Sequence, residues 1–290
     1  MAHLIVTDFG AIKSANIEIK KYNFFIGHTS SGKSTIAKLL AIFNNSIFWT
    51  IKEGDFNSFL RLLDKYNINF EFTSTTIIRY SNEKYYWEIG LNKFHSNYED
   101  ADLMEMANTS KSYDFILKFI ERKENNFAYK EFIKSLKNLL DLKDSAMVEL
   151  IKPALVGLLY EECIPVYIPA ERLLISTFSN SIFSLLQAGA SIPDCIKDFG
   201  SLYEKARIQY KNIDINILDI KVSFNNNGDT VYLMNENKEV KLSQTSSGIQ
   251  SIIPLWIVFN QYVESKKKQI LVIEAVSYTH LRAHETRHDL

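Results

Sequence analysis

The run GHTSSGKST, Gly27-His28-Thr29-Ser30-Ser31-Gly32-Lys33-Ser34-Thr35, fits the spacing G-x-x-x-x-G-K-[ST]. That spacing suits a phosphate chain. Several backbone N–H groups must converge on the anion, so the loop has to be tight, with no side chain in the way at Gly27 and Gly32. A helix starting after the loop adds its positive dipole end. Lys33 supplies a point charge to the β- and γ-phosphates, and the Ser34 hydroxyl ligates Mg²⁺. The bland alternative is a chance glycine-rich turn. Three further stretches carry polar groups at suggestive positions. KLSQTSSGIQS, Lys241–Ser251, sets small polar residues before an apolar run, which makes Ser246 and Ser247 helix N-cap candidates. IPAER ends on Glu171-Arg172, either a pair aimed at a phosphate or a surface ion pair of little energetic weight. QILVIE places one acid, Glu274, at the end of an apolar strand, and His280, His284 and His288 then follow four apart. On a helix those histidines share one face, a fair pattern for a metal.

These groups need elements to hold them. HLIVTDF predicts a strand over 3–9, and NIEIKK a second from Asn16. Tyr22–Ile26 (YNFFI) is an apolar run read as a strand that stops at Gly27. Ile36, Leu39, Leu40 and Phe43 recur at helical spacing. The loop therefore sits between strand and helix, the context that favours phosphate binding over a chance turn. TTIIRYSNEKYYWEIG predicts a hairpin turning at Asn82-Glu83-Lys84, with Tyr85, Tyr86 and Trp87 as hairpin core rather than a base-stacking platform. Residues 101–160 have helical periods. CIPVYIPAER returns to a strand ending near Pro169, and the segment after it is mostly helical, broken near Gly189 and Pro193. LDIKVSFNNNGDTVYLMNENKEVKL predicts antiparallel strands, turning at Asn226-Asn227-Gly228-Asp229. A helix from about Ser247 to Tyr262 and the QILVIE strand complete the series.

Composition bounds the rest. With 290 residues, 46% of them hydrophobic, and a formal net charge of −1, the chain has a sizeable core and no global nucleic-acid or membrane footprint. Two cysteines, Cys163 and Cys195, are too few for a disulfide framework, which points to a reduced, cytoplasmic setting. No apolar run is long enough to span a bilayer, and MAHLIVTDFG has no signal-peptide pattern.

The order of parts is specific: a phosphate loop near the start, a serine-glycine turn about 200 residues later, then an acid-tipped strand. With the opening IVTDFGAIKSANIEI and FFIGHTSSGKSTIAKLL, it resembles the ABC-type, AAA family ATPase heads of the RecF, SMC and OLD (overcoming lysogenization defect) class. TSSGIQ is similar in spacing to the class signature, with Thr245 for Leu and Ile249 for Glu. The resemblance implies an α/β fold: a P-loop NTPase, ABC-ATPase-like, with a mixed sheet, a helical insertion at about 101–160 and an incomplete C-terminal half, over residues 1–275. It implies ATP and Mg²⁺ as cofactors, with Lys33 and Glu274 catalytic and Ser34 and Glu274 on the metal. By the same analogy Ser246, Ser247 and Gly248 meet the γ-phosphate held by another copy, so two heads join head-to-tail around Mg-ATP. Glu171-Arg172 would lie beside the γ-phosphate. A nuclease or toxin effector and DNA are the partners implied, in DNA processing or anti-phage defence, with no membrane.

The class expects a second acid after Glu274, where this chain has Ala275. VSYTHLRAHET, from Val276, is also the third-frame translation of a common transposon-based sequencing adapter. Residues 276–290 are accordingly expected to be a non-native tail, and the histidine spacing is explained without a metal. The adapter boundary falls inside codon 275, whose first base must be G; Glu codons share it. The intact protein is expected to hydrolyse ATP and this truncated chain to be inactive. A non-catalytic ATP-dependent scaffold, as Ala275 at face value implies, and a small-molecule P-loop kinase are the other two readings.

Overall fold

A computed structural model describes residues 2–45, 47–51, 53–97, 165–178, 189, 191–225, 228–265 and 270–274. The expected insertion at 101–160, the 226–227 part of the later turn, and everything from Ala275 onward lie outside the described residues. The chain divides into two compact units. The first comprises Met1–Lys33, Ile42–Leu63 and Asn69–Ile164; the second comprises Ser34–Ala41, Asp64–Ile68 and Pro165–Leu290.

In the first unit β1 (Ala2–Phe9) and β2 (Ile12–Ile19) form an antiparallel hairpin, pairing Phe9 with Ile12 and His3 with Glu18. Gly10 makes the turn at φ 57°, where a Cβ would also strike the Phe70 ring at 2.5 Å. The other edge of β1 pairs with β3 (Ile77–Ser81), which continues through β4 (Tyr86–Gly90) to β5 (Lys93–Ser96). The sheet order is β2-β1-β3-β4-β5, antiparallel throughout. The β3–β4 turn falls where the sequence predicts it. The Asn82 side-chain oxygen accepts the Lys84 and Tyr85 amides at 2.9 and 2.7 Å, replacing backbone partners the turn removes.

One face of this sheet carries an aromatic core. Phe48 meets Phe43, Phe59, Trp87 and Phe94 at centroid distances of 4.8, 6.2, 5.3 and 6.0 Å. Phe43 stacks on Tyr80 at 4.7 Å. Tyr85 and Trp87 are buried in the hairpin and Tyr86 is exposed, so two of the three aromatics form core as expected. Helix α1 (Lys33–Phe43) ends on Phe43 and is thereby anchored in this cluster. Helix α2 (Phe56–Lys65) starts with the Asp55 carboxylate accepting the Ser58 amide at 3.0 Å, an N-cap that satisfies an orphan donor.

The stretch Tyr22–Ile26 departs from expectation. It forms no strand and has no ladder partner among the described residues, and Tyr22, Phe24 and Ile26 are exposed. Alternating apolar residues favour a strand only when a neighbour pairs with it.

In the second unit β6 (Val166–Ile168) pairs in parallel with β11 (Leu271–Ile273), matching Val166 with Leu271. A 3-10 turn, Ala170–Arg172, follows β6 and leads into α3 (Leu173–Phe178). Helix α4 (Asp194–Tyr210) begins just after Pro193, the predicted break. Strands β7 (Asn212–Ile215), β8 (Ile220–Ser223), β9 (Thr230–Leu233) and β10 (Lys238–Lys241) form an antiparallel meander. Helix α5 (Ser247–Ser265) completes the unit before β11. Among the described residues the strands form two antiparallel sheets and one parallel pair.

Pro254 lies inside α5. A proline has no N–H, so the carbonyl four residues back, that of Gln250, loses its helical donor. The Ser176 hydroxyl donates to that carbonyl at 2.7 Å, which resolves the deficit. Among the described residues no helix is long and apolar enough to cross a membrane.

Candidate functional site

The loop at 27–33 belongs to the first unit. Ser30 and Gly32 take left-handed conformations, φ 61° and 86°. Such turns gather successive backbone N–H groups into a concavity that suits an anion. Gly27, His28, Thr29, Ser30 and Ser31 are exposed, while Gly32 is buried. The burial has a cause: a Cβ on Gly32 would lie 2.4 Å from Ile12 Cγ1, so β2 packs directly under the loop backbone. Gly32→Ala therefore combines a clash with a strained φ. It is expected to destabilise the protein by about 1–3 kcal/mol in thermal melts. An unchanged melting temperature would show that the loop shifts freely off β2.

The Lys33 ammonium curls back over this loop. It donates to the carbonyls of Gly27, at 2.9 Å, and His28, and to the Ser31 hydroxyl at 3.2 Å. The next residue, Ser34, is exposed in the first turn of α1, and Thr35 beside it is buried. Helical N–H groups in that first turn have no partner within the helix, and the dipole favours an anion there.

In the second unit the acid expected at the end of QILVIE stands at the tip of β11. The Glu274 amide donates to the Ile168 carbonyl at 2.9 Å, which extends the parallel ladder by one bond. The carboxylate is buried and accepts the Tyr167 hydroxyl at 2.7 Å. Burial pushes the Glu274 carboxyl above the usual carboxylate range. The hydrogen bond from Tyr167, the charge of Lys38 and the Ser34 hydroxyl, within hydrogen-bonding reach, pull it back; Glu171 pushes it further up. Burial and the neighbouring Glu274 likewise raise the Tyr167 phenol. Cys195 lies close enough to feel the same charges, and burial pushes its thiol up to about 11, so it is an inert thiol at neutral pH. Ser34 and Glu274, the two residues expected on a metal, are thus brought together. Lys38 and Tyr167 join them and were not anticipated. A tyrosine inside an apolar VYI strand reads as core, and its partner lies 107 residues away.

Arg172 is neither a surface ion pair nor an exposed contact. It is buried, and its guanidinium donates to three backbone carbonyls, those of Pro169 (2.9 Å), Ser251 (3.1 Å) and Glu274 (2.7 Å). Burial lowers its pKa, while Glu171 and Glu274 work to raise it.

At the serine turn the N-cap reading holds. Ser246 Oγ accepts the Ile249 amide at 3.4 Å, and Ser247 is the first residue of α5. The buried Gln250 ties the turn down by donating to the carbonyls of Ser243 and Thr245 at 3.2 and 2.8 Å. Ser246, Ser247 and Gly248 themselves are exposed.

His280, His284 and His288 lie outside the described residues. Among the described residues no group of three or more His, Cys, Asp or Glu side chains could hold a metal ion. The donor set at Ser34 and Glu274 nevertheless fits Mg²⁺, a hard cation that takes oxygen ligands and is commonly bound through one or two carboxylates together with phosphates and waters. No curated protein and no solved structure matches the chain. A family model described as "AAA ATPase domain" matches residues 1–158. That span covers more than half of the chain and includes the whole phosphate loop, so the chain belongs to the AAA ATPase domain family.

Proposed function

We propose that the chain binds ATP with Mg²⁺ as an ATPase head of the RecF, SMC and OLD-like class. The observation that carries this reading is the run of chain from Gly27 to Thr35: a left-handed glycine loop, a lysine curled over it, and a serine near a buried strand-end carboxylate. The loop amides and Lys33 would take the β- and γ-phosphates, and Ser34 and Glu274 would hold the metal. When bound, Mg²⁺ supplies charge neutralisation at the phosphate oxygens. Tyr167 holds one carboxylate oxygen of Glu274, leaving its direction fixed, as partners behind a metal ligand do.

Head-to-tail pairing of two copies belongs to the same proposal. It is supported by the exposed Ser246, Ser247 and Gly248 at the start of a 19-residue helix, where backbone N–H groups are available to a neighbour's phosphate. An effector nuclease or toxin, and DNA, are the partners such a head would control.

The test is the metal dependence. Glu274→Gln keeps the shape and removes the charge. It is expected to raise the Mg²⁺ concentration needed for half-maximal ATP binding about 10-fold, with binding in EDTA unchanged. Titrating Mg²⁺ against a fluorescent ATP analogue measures it. An identical Mg²⁺ midpoint in the variant removes Glu274 from the metal.

A further inference from the structure

One buried cation joins three separate elements. Arg172 lies in the 3-10 turn after β6. Its Nη1 donates to Pro169 at the end of β6 and to Glu274 at the end of β11, and its Nε donates to Ser251 in the second turn of α5. A buried guanidinium is costly unless its donors are satisfied, and an apolar side chain of similar volume fills such a space more cheaply. What the guanidinium adds is a rigid fork that bonds several acceptors in fixed geometry.

The place where it grips α5 is particular. Ser251 lies three residues before Pro254, and Gln250, whose carbonyl the proline deprives of a donor, is next to it. Proline breaks the helical ladder there and lets the two halves of the helix tilt. The freed carbonyl is taken by Ser176 from α3. The N-terminal half, residues 247–253, carries the serine turn, because Gln250 also bonds the Ser243 and Thr245 carbonyls. Hydrogen bonds therefore run from the Glu274 backbone through Arg172 to Ser251, and from the adjoining Gln250 to the turn.

We infer that Arg172 is a positioning residue that couples the metal-binding end of β11 to the serine turn, so that cation binding at Glu274 is transmitted to residues 243–251. This rests on the nucleotide reading given above. It extends that reading by assigning a residue outside the phosphate loop the task of linking a copy's cation site to the serine turn that the same copy offers a neighbour. The two-state element required of such coupling is the half-helix ahead of Pro254.

Hydrogen–deuterium exchange on the full chain tests it, with ATP plus MgCl₂ compared against ATP plus EDTA. In the wild type, ATP in either condition is expected to protect residues 27–35. Only Mg²⁺ with ATP is expected to slow exchange at 245–252, by about 10-fold. In Arg172→Met the protection at 27–35 stays and the Mg²⁺-dependent protection at 245–252 is lost. A merely structural arginine would lower the melting temperature and leave that Mg²⁺-dependent difference in place. Pro254→Ala supplies the missing N–H and competes with Ser176; it is expected to cut the same difference by half or more. It carries the test if Arg172→Met fails to fold. Wild-type protection at 27–35 without any at 245–252, or variants that keep the full wild-type difference, overturns the coupling alone. No protection of 27–35 by ATP in the wild type overturns the nucleotide reading, and the coupling falls with it.

Discussion

Lys33→Ala is expected to weaken Mg-ATP binding about 100-fold while leaving the melting temperature of the free protein within about 1 °C. The two halves of that statement have different origins. In the free protein the ammonium bonds only groups of its own loop, the Gly27 and His28 carbonyls and the Ser31 hydroxyl. Those bonds are exposed, and exposed polar contacts contribute little because water replaces them. Toward a triphosphate the same ammonium makes charge-assisted bonds, each worth about 1.5–3 kcal/mol. Two of them give about 3 kcal/mol, or two decades of affinity at about 1.4 kcal/mol per decade. A second readout follows from linkage. ATP at about 100 times its Kd stabilises the native state by about 2.7 kcal/mol, which for a chain of this size raises the melting temperature by roughly 5–10 °C. That rise is expected to fall to about 1 °C in Lys33→Ala at the same ATP concentration. Fluorescence titration and melts with and without Mg-ATP measure both. Wild-type affinity together with a wild-type shift in the variant would remove Lys33 from the phosphates, and with it the reason for reading GHTSSGKST as a nucleotide loop.

The loop was legible because its chemistry is local. Glycines, lysine and serine sit within nine residues, and the helix after them announces itself through Ile36, Leu39, Leu40 and Phe43. The β3–β4 hairpin, β8 to β10, α5 and β11 were legible for the same reason: each has its own period and its own punctuation, such as Pro193 before α4 or Ser246 capping α5. Helix α2 carries the signal too, with Phe59, Leu62 and Leu63 buried at i, i+3 and i+4, but aromatic residues on both sides obscure where it begins. What was not legible depends on pairing across the chain. Tyr22, Phe24 and Ile26 alternate like a strand, and nothing local says whether a partner strand will be there. Tyr167 was hidden because its hydroxyl finds Glu274 only after folding. Arg172 was misjudged for a deeper reason. Its acceptors are three backbone carbonyls, which leave no trace in residue identity, whereas the Glu171 beside it suggests an ion pair.

Phe48→Ala is expected to cost the largest stability of any single truncation in the first unit, about 3–5 kcal/mol. Phe48 is fully buried and opens a short 3-10 turn, Phe48–Thr50, so it is held by one turn of backbone and otherwise by its neighbours. Those neighbours come from four places: Phe43 at the end of α1, Phe59 in α2, Trp87 in β4 and Phe94 in β5. All four contacts with Phe48 are edge-to-face, at 60–90°, with Phe43 at 90°. Edge-to-face pairs of this kind add roughly 0.5–1.5 kcal/mol beyond area burial, so truncation loses both terms and leaves a cavity. Collapse cannot fill it easily, because Trp87 and Phe94 are fixed by the β4–β5 ladder and Phe43 by its stack on Tyr80. At about 2–4 °C per kcal/mol the melting temperature is expected to fall by roughly 6–20 °C. Phe48→Leu, which keeps most of the volume but no ring, is expected to lose about half as much. The consequence reaches the loop through α1: the helix that begins at Lys33 has its other end, Phe43, in this cluster. Loosening that end loosens the helix whose first residue is Lys33. Phe48→Ala assayed below its melting temperature is therefore expected to bind ATP more weakly than Phe48→Leu, with no side chain of the binding loop altered. Equal affinities in the two variants would show that the aromatic cluster stabilises the sheet without setting the loop.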